Sequence, residues 1–188
     1  MNTQMLNPLS LLDAVYEYVK NKSNLEENCI FQGGNNFSHL PKEHNNFAIL
    51  TLLSLQQIGT NQETYHNDTI IIESLIKIGV QVDIYGNTLL EAWQNMLSTH
   101  SLFHDHVACN FFIPLGYTPL YADEIKVINT VDSSNQYVPR LTTTFYFSYK
   151  NINVIPFDFF DNVKVNVVNV DVKFPPIGDT HGKSKKNK

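Results

Sequence analysis

"VQVDIYGNTLLEAWQNM", Val80 to Met96, decides the fold class. Val80, Val82 and Ile84 alternate with Gln81, Asp83 and Tyr85, the period-two pattern of a strand with one apolar face. Gly86-Asn87 turns the chain, and Thr88-Leu89-Leu90-Glu91 has the spacing of a capping box. A helix follows, expected to bury Leu89, Ala92, Trp93, Met96 and Leu97 and to end near Thr99. A half-buried strand that turns directly into an amphipathic helix fits an α+β fold with a mainly antiparallel sheet. Asp83 is the odd member of this strand: a carboxylate there either does chemistry or fixes structure.

Upstream the alternation runs back to Thr69. Ile70, Ile72, Ile76, Ile78, Val80, Val82 and Ile84 share one face, and Glu73, Lys77, Gln81, Asp83 and Tyr85 the other. At about 3.3 Å per residue such a strand covers roughly 50 Å, well beyond the usual length. Gly79 is expected to interrupt it with a bulge. Phe47–Leu55 supplies an apolar partner strand, and Gly59–Asp68 is expected to be the turn region between the two. The product is a long, projecting β-hairpin. A projecting arm needs a neighbour, so an oligomer is expected.

The other elements follow similar signals. Asn7 caps and Pro8 opens a first helix to about Lys20, with Leu9, Leu12, Val15, Tyr16 and Val19 on one face. Residues 21–46 are polar and Gly/Asn-rich, with one short strand at Cys29–Gln32. Val107–Ile113 is expected to be a strand and Pro114–Pro119 a loop. Leu141–Lys150 is a strand with Phe145, Phe147 and Tyr149 opposite Thr142, Thr144, Tyr146 and Ser148. The valine alternation slips parity at Val167–Val168, which predicts a bulge. The inventory is two helices and about five strands in one domain, residues 1–172, followed by a flexible basic tail, residues 173–188.

The chain has 188 residues and a formal net charge of −5. The tail holds five lysines against Asp179, so residues 1–172 carry seven lysines and Arg140 against seventeen acids, a net of −9. An acidic body argues against wrapping nucleic acid by phosphate neutralisation. No apolar run approaches the roughly 20 residues of a membrane span. Cys29 and Cys109 form no metal-ribbon spacing and are expected to be reduced.

His100, His104, Asp105, His106 and Cys109 form the densest polar cluster. A helix extended past Thr99 could aim His100 and His104 at a zinc ion, but histidines at a helix C-terminus also simply suit the dipole. Cys109 lies among apolar residues, where an inert thiol is the commoner state. Asp123-Glu124 and Asp158/Asp161 lie in expected loops and are expected to be solvated. No nucleophile elbow, P-loop or dinucleotide fingerprint is present, so no catalytic residues, cofactor or metal are expected. Asp83 then becomes structural, with the sole arginine, Arg140, as candidate partner in a bidentate pair across neighbouring strands.

Three stretches in order, "VQVDIYGNTLLEAW" (Val80–Trp93), "PLGYTPLYADEI" (Pro114–Ile125) and "NQYVPRLTTTFYFSY" (Asn135–Tyr149), resemble bacteriophage neck or tail terminator proteins. The resemblance spans roughly Phe47 to Asp171 and implies a twisted, largely antiparallel sheet with helices on one face, assembled as a ring of six. Its matching positions are Gln81, Asp83, Tyr85, Gly86, Tyr121, Tyr137 and Arg140. It implies no catalytic residues. It further implies a virion protein, assembled in the host cytoplasm, that caps the tail tube and joins it to the head connector while genome DNA passes the lumen. The loop at 21–46 and the lysine tail depart from the pattern. Alternatives are a tail completion or other head–tail adaptor protein, a small metal-dependent enzyme using His100–Cys109, and a single-strand binder using the aromatic face Phe145–Tyr149.

Overall fold

The computed structural model describes residues 7–33, 46–66, 68–131 and 137–156. Helix α1 (Pro8–Lys22) starts as expected: the Asn7 side-chain oxygen accepts from the Leu9 amide at 3.1 Å, and Pro8 gives up a donor that has no partner inside the helix. A short 3-10 turn, Glu27–Cys29, leads into β1 (Ile30–Gln32), which pairs in parallel with β2 (Phe47–His66). Strand β2 pairs antiparallel with β3 (Thr69–Tyr85), and β3 antiparallel with β6 (Tyr137–Pro156). Strands β4 (Tyr117–Ala122) and β5 (Lys126–Val131) both pair antiparallel with β6. Among the described residues the order is β1-β2-β3-β6-β4, with β5 beside β6, in a mainly antiparallel sheet of six strands.

Alternation makes one face of this sheet apolar. Ala48 and Leu50 of β2, Ile78, Val80, Val82 and Ile84 of β3, and Leu141, Phe145 and Phe147 of β6 have no exposed surface. Against them pack α1, α2 (Leu89–Phe103) and α3 (His106–Phe112). Phe103 stacks on Phe145 with ring centroids 4.2 Å apart, and Phe112 reaches Tyr18 at 5.0 Å. Each large side chain removed from water here stabilises the fold by about 1.5–3 kcal/mol before entropy is counted. This is the α+β architecture with helices on one face.

The strand–turn–helix unit forms as its residues dictate. Thr88 accepts from the Glu91 amide at 3.2 Å and caps α2, while the buried Glu91 Oε2 has no hydrogen-bond partner. Gly86 is obligatory for steric reasons. A Cβ there would lie 2.8 Å from the Ala92 nitrogen and 2.9 Å from the Thr88 oxygen, both backbone atoms.

Several expectations are corrected. Among the described residues there are three α-helices where two were expected: 106–112 is helix, because Ala108 and Phe112, four apart, turn together into the core. The apolar run there has strand length, and aromatic packing against Tyr18 and Phe103 overrode it. Helix α2 runs one turn past Thr99, to Phe103, because Phe103 buries itself against Phe145. The inward face of α2 is Ala92, Asn95, Met96, Thr99 and Phe103, which leaves Leu89 and Leu97 exposed and Trp93 part-buried. Likewise α1 buries Leu11, Leu12, Ala14, Val15, Tyr18 and Val19, with Leu9 exposed. Strand β5 was not expected, and β4 begins at Tyr117, inside the expected loop. Its Pro119 is tolerated because β4 is an edge strand.

The expected turn at 59–68 is mostly strand, since β2 continues to His66. Gly59, with φ +74°, sits in an irregular stretch where the register shifts between Ile58 and Gln62. Gly79 does not bulge. Leu53 of β2 is the inserted residue opposite it, and Gly79 keeps its register with β6. A side chain there would put Cβ 2.8 Å from Ser54 Oγ and 3.1 Å from Tyr146 Cε1. What was expected as a two-stranded arm has three strands, with β6 accompanying β3 as far as Thr69↔Pro156. The Val167–Val168 bulge, Asp158/Asp161, the boundary at residue 172 and the lysine tail lie outside the described residues.

Candidate functional site on the helix-free face

The odd-numbered residues of β3 point away from the helices. Along that face Tyr85 pairs with Phe47 and Arg140, Asp83 with Ile49 and Thr142, and Gln81 with Thr51 and Thr144. Phe47 and Tyr85 stack at 4.4 Å and 12°, with Phe31 edge-on to Phe47 at 6.2 Å. Cys29, Ile49 and Val138 complete this small second cluster. Burial pushes the Cys29 thiol up, with Glu26 adding to the shift, so it stays a protonated, packed side chain.

At the centre lies Asp83, with only 5% of its side chain exposed. Arg140 Nη2 donates to Asp83 Oδ2 at 2.9 Å, and Gln81 Nε2 donates to the same oxygen at 2.7 Å. The expected pair therefore exists, but it is not bidentate, because Asp83 Oδ1 and Arg140 Nε have no hydrogen-bond partner. The reason is register. Arg140 stands opposite Tyr85, two residues along from the position facing Asp83, and reaches it diagonally. Its guanidinium also lies over the Tyr85 ring at 5.7 Å. Burial raises the Tyr85 phenol, with Arg140 opposing and Asp83 reinforcing the shift. Gly86 closes this end, its amide donating to the Pro139 carbonyl at 3.3 Å.

Further along the same face a second cluster forms that pattern reading missed. Lys77 Nζ donates to the Tyr121 hydroxyl at 2.5 Å and sits over the Tyr146 ring, 4.1 Å from its centroid. Tyr121 and Tyr146 lie 4.7 Å apart. The hydrogen bond to Tyr121 is the largest cause raising the Lys77 ammonium. The available signal was parity: Lys77 shares a face with Asp83. Tyr121 thus joins a cluster. Tyr137, 76% exposed at the start of β6, touches neither cluster.

Asp123 is not the solvated acid expected. It lies between β4 and β5, where its carbonyl accepts from His100 Nε2 and from Thr143 Oγ1, each at 2.8 Å. Its carboxylate accepts from the Tyr146 hydroxyl at 3.2 Å. His100 is so tied to the backbone, and its ring lies 4.8 Å from His104. His106 pairs with Asp105 in the exposed turn between α2 and α3. Cys109 is a part-buried residue of α3, not of a strand. Among the described residues no group of three His, Cys, Asp or Glu side chains is placed to hold a metal ion.

The arrangement offers packing and hydrogen bonding, with one buried polar cluster around Asp83 and one exposed cluster around Lys77 on the same sheet face. No curated protein matches the chain. A family model described as phage neck terminator protein matches residues 9–176, nearly the whole length and wider than the stretch that carried the resemblance. The chain belongs to the phage neck terminator protein family, whose members are structural proteins of the virion neck.

Proposed function

We propose that this chain acts as an oligomeric ring, a hexamer, that caps the tail tube and joins it to the head connector. The observation that carries this is the distal part of β2, β3 and β6. There β3 turns Ile70, Ile72 and Ile76 to one face and Ile71 and Leu75 to the other, where Ile152 and Val154 of β6 join them. Strand β3 is here largely apolar on both faces, and its isoleucines are only part-buried by the described residues; such an arm projects from the body into a neighbour. A heterologous contact of this kind closes into a ring when its rotation allows.

In this reading residues 1–172 form the terminator domain and 173–188 an appended basic tail. Gln81, Asp83, Tyr85, Gly86 and Arg140 hold the body end of the arm, while Tyr121 and Tyr137 face neighbouring proteins. The excess of acids lines the lumen, so DNA slides past without phosphate contacts. Sedimentation of the purified chain, followed by cryo-EM of the assembled neck, tests the proposal. Discrete rings of 21.5 kDa chains between tube and connector support it. A strict monomer, or a ring with its acids only on the outer rim, contradicts the corresponding part.

A further inference from the structure

Strand β2 has an outer edge that the other described strands leave largely uncovered. Strand β1 covers only Ala48–Leu50, and among the described residues no strand pairs with that edge from Thr51 to Ile58. Every residue from Leu53 to His66 is exposed, including Leu53, Leu55 and Ile58. A row of unpaired N–H and C=O groups on an exposed strand is a template for another strand, and monomeric proteins blunt such edges with lysine, proline or bulges. Between Leu53 and His66 there is no lysine, arginine or proline, and Glu63 is the single charged residue. The irregular stretches at Leu52–Ser54 and Ile58–Gln62 are the protective devices, and they leave the run between them, Ser54–Ile58, open.

Among the described residues the same arm carries a second uncovered edge. Strand β4 covers β6 from Phe145 to Tyr149, and beyond it, among the described residues, Asn151–Pro156 pairs only with β3. The charge at its start, Lys150, is already paired with Glu73 of β3 at 2.7 Å, so the edge beyond it carries no charge of its own. Strands β2 and β6 both run from the body toward the tip, because each is antiparallel to β3.

We infer that the neck ring is stitched by strand addition: the free edge of β2 in one copy pairs in parallel with the distal edge of β6 in the next. Direction decides the geometry. Copies related by rotation about an axis along the arms point their arms the same way, so unlike edges meet in parallel. Two β2 edges could meet only antiparallel, through a twofold axis, which closes a dimer and not a ring. The β6–β2 junction satisfies main-chain groups on both edges.

This inference rests on the ring reading, and disulfide trapping separates the two. In a chain with Cys29→Ala and Cys109→Ala, Gln57→Cys is combined in turn with Asn151→Cys, Asn153→Cys or Ile155→Cys. All four positions lie on the helix side of the arm, by their pairing with Ile76, Ser74, Ile72 and Ile70. Paired strands hold facing Cα atoms within the ~4.4–6.8 Å that a disulfide spans. Oxidation of the assembled protein is expected to give a ladder of linked chains for one double variant, and monomers for Gln57→Cys alone. Rings that form without any such ladder overturn the junction and leave the ring reading intact. Dimers from Gln57→Cys alone overturn it in favour of twofold pairing, and a chain that never assembles removes both readings. Hydrogen exchange on the unmodified chain gives a second measure: amides of Leu53–Ile58 become slow on assembly if the junction forms, and stay fast if it does not.

Discussion

Arg140 reaches Asp83 along a diagonal: its register partner is Tyr85, yet its Nη2 lies 2.9 Å from Asp83 Oδ2. The pair therefore uses one hydrogen bond where a directly facing fork could use two. Removing either partner has unequal consequences. Asp83 is the more deeply buried, with 5% of its side chain exposed against 23% for Arg140. Arg140→Ala strands that carboxylate and is expected to cost about 3 kcal/mol, the lower end for breaking a buried pair. Asp83→Asn keeps an acceptor for one of its donors and is expected to cost about half as much. Urea unfolding of the two variants measures this, and equal losses would contradict the burial argument.

Two glycines differ in what surrounds them. At Gly79 the nearest atom to an added Cβ is the movable Ser54 Oγ, whereas at Gly86 it is backbone. Gly86→Ala is expected to cost about 2–3 kcal/mol and Gly79→Ala nearer 1 kcal/mol, within the range for overpacking. Adding Ser54→Gly to Gly79→Ala should recover part of the loss. Thermal unfolding of the three variants checks the order.

The inward face of α2 makes a third prediction. Met96→Ala opens the core and is expected to cost about 2–5 kcal/mol, whereas Leu97→Ala, 54% exposed, is expected to stay within about 0.5 kcal/mol in the isolated chain. A large loss at Leu97 would restore the face expected from periodicity.

Stability should fall in alkali. Burial holds the phenols of Tyr18 and Tyr85 above their ordinary value of 10.0. The folded chain therefore binds these protons more tightly than the unfolded one. Their contribution is complete below about pH 10 and is lost as pH rises through the raised folded values. Denaturant midpoints taken from pH 8 to 11 should be level at first and then decline. Tyr18→Phe is expected to flatten the decline, and an unchanged slope would remove Tyr18 as its source.

Much of the body was legible in local signals. The alternation from Thr69 to Tyr85, the Thr88 cap and the Asn7-Pro8 start each depend on a few adjacent residues and appear where the pattern puts them. What failed depended on partners distant in sequence. Residues 106–112 are helical because Phe112 fits between Tyr18 and Phe147, a contact no window of seven residues contains. Strand β2 runs on through Gly59 because β3 supplies a ladder out to Thr69. In the candidate site Asp83 and Arg140 could be paired from sequence, since one arginine leaves little choice, but the diagonal needed the register. The Lys77–Tyr121–Tyr146 cluster joins three strands and had only parity to announce it.

The ladder between β3 and β6 runs from Thr69↔Pro156 to Tyr85↔Arg140 without a single slip, while β2 beside it slips twice. At about 3.3 Å per residue the unbroken pair is a rod of roughly 50 Å. Its strands cannot slide past each other without breaking every bond in the ladder at once. The third strand, with its inserted residues, is the one free to adjust. A displacement imposed at the tip is thus delivered to the opposite end nearly undiminished, to the two residues where guanidinium and carboxylate meet. Mechanically the arm is a pushrod with a compliant flank.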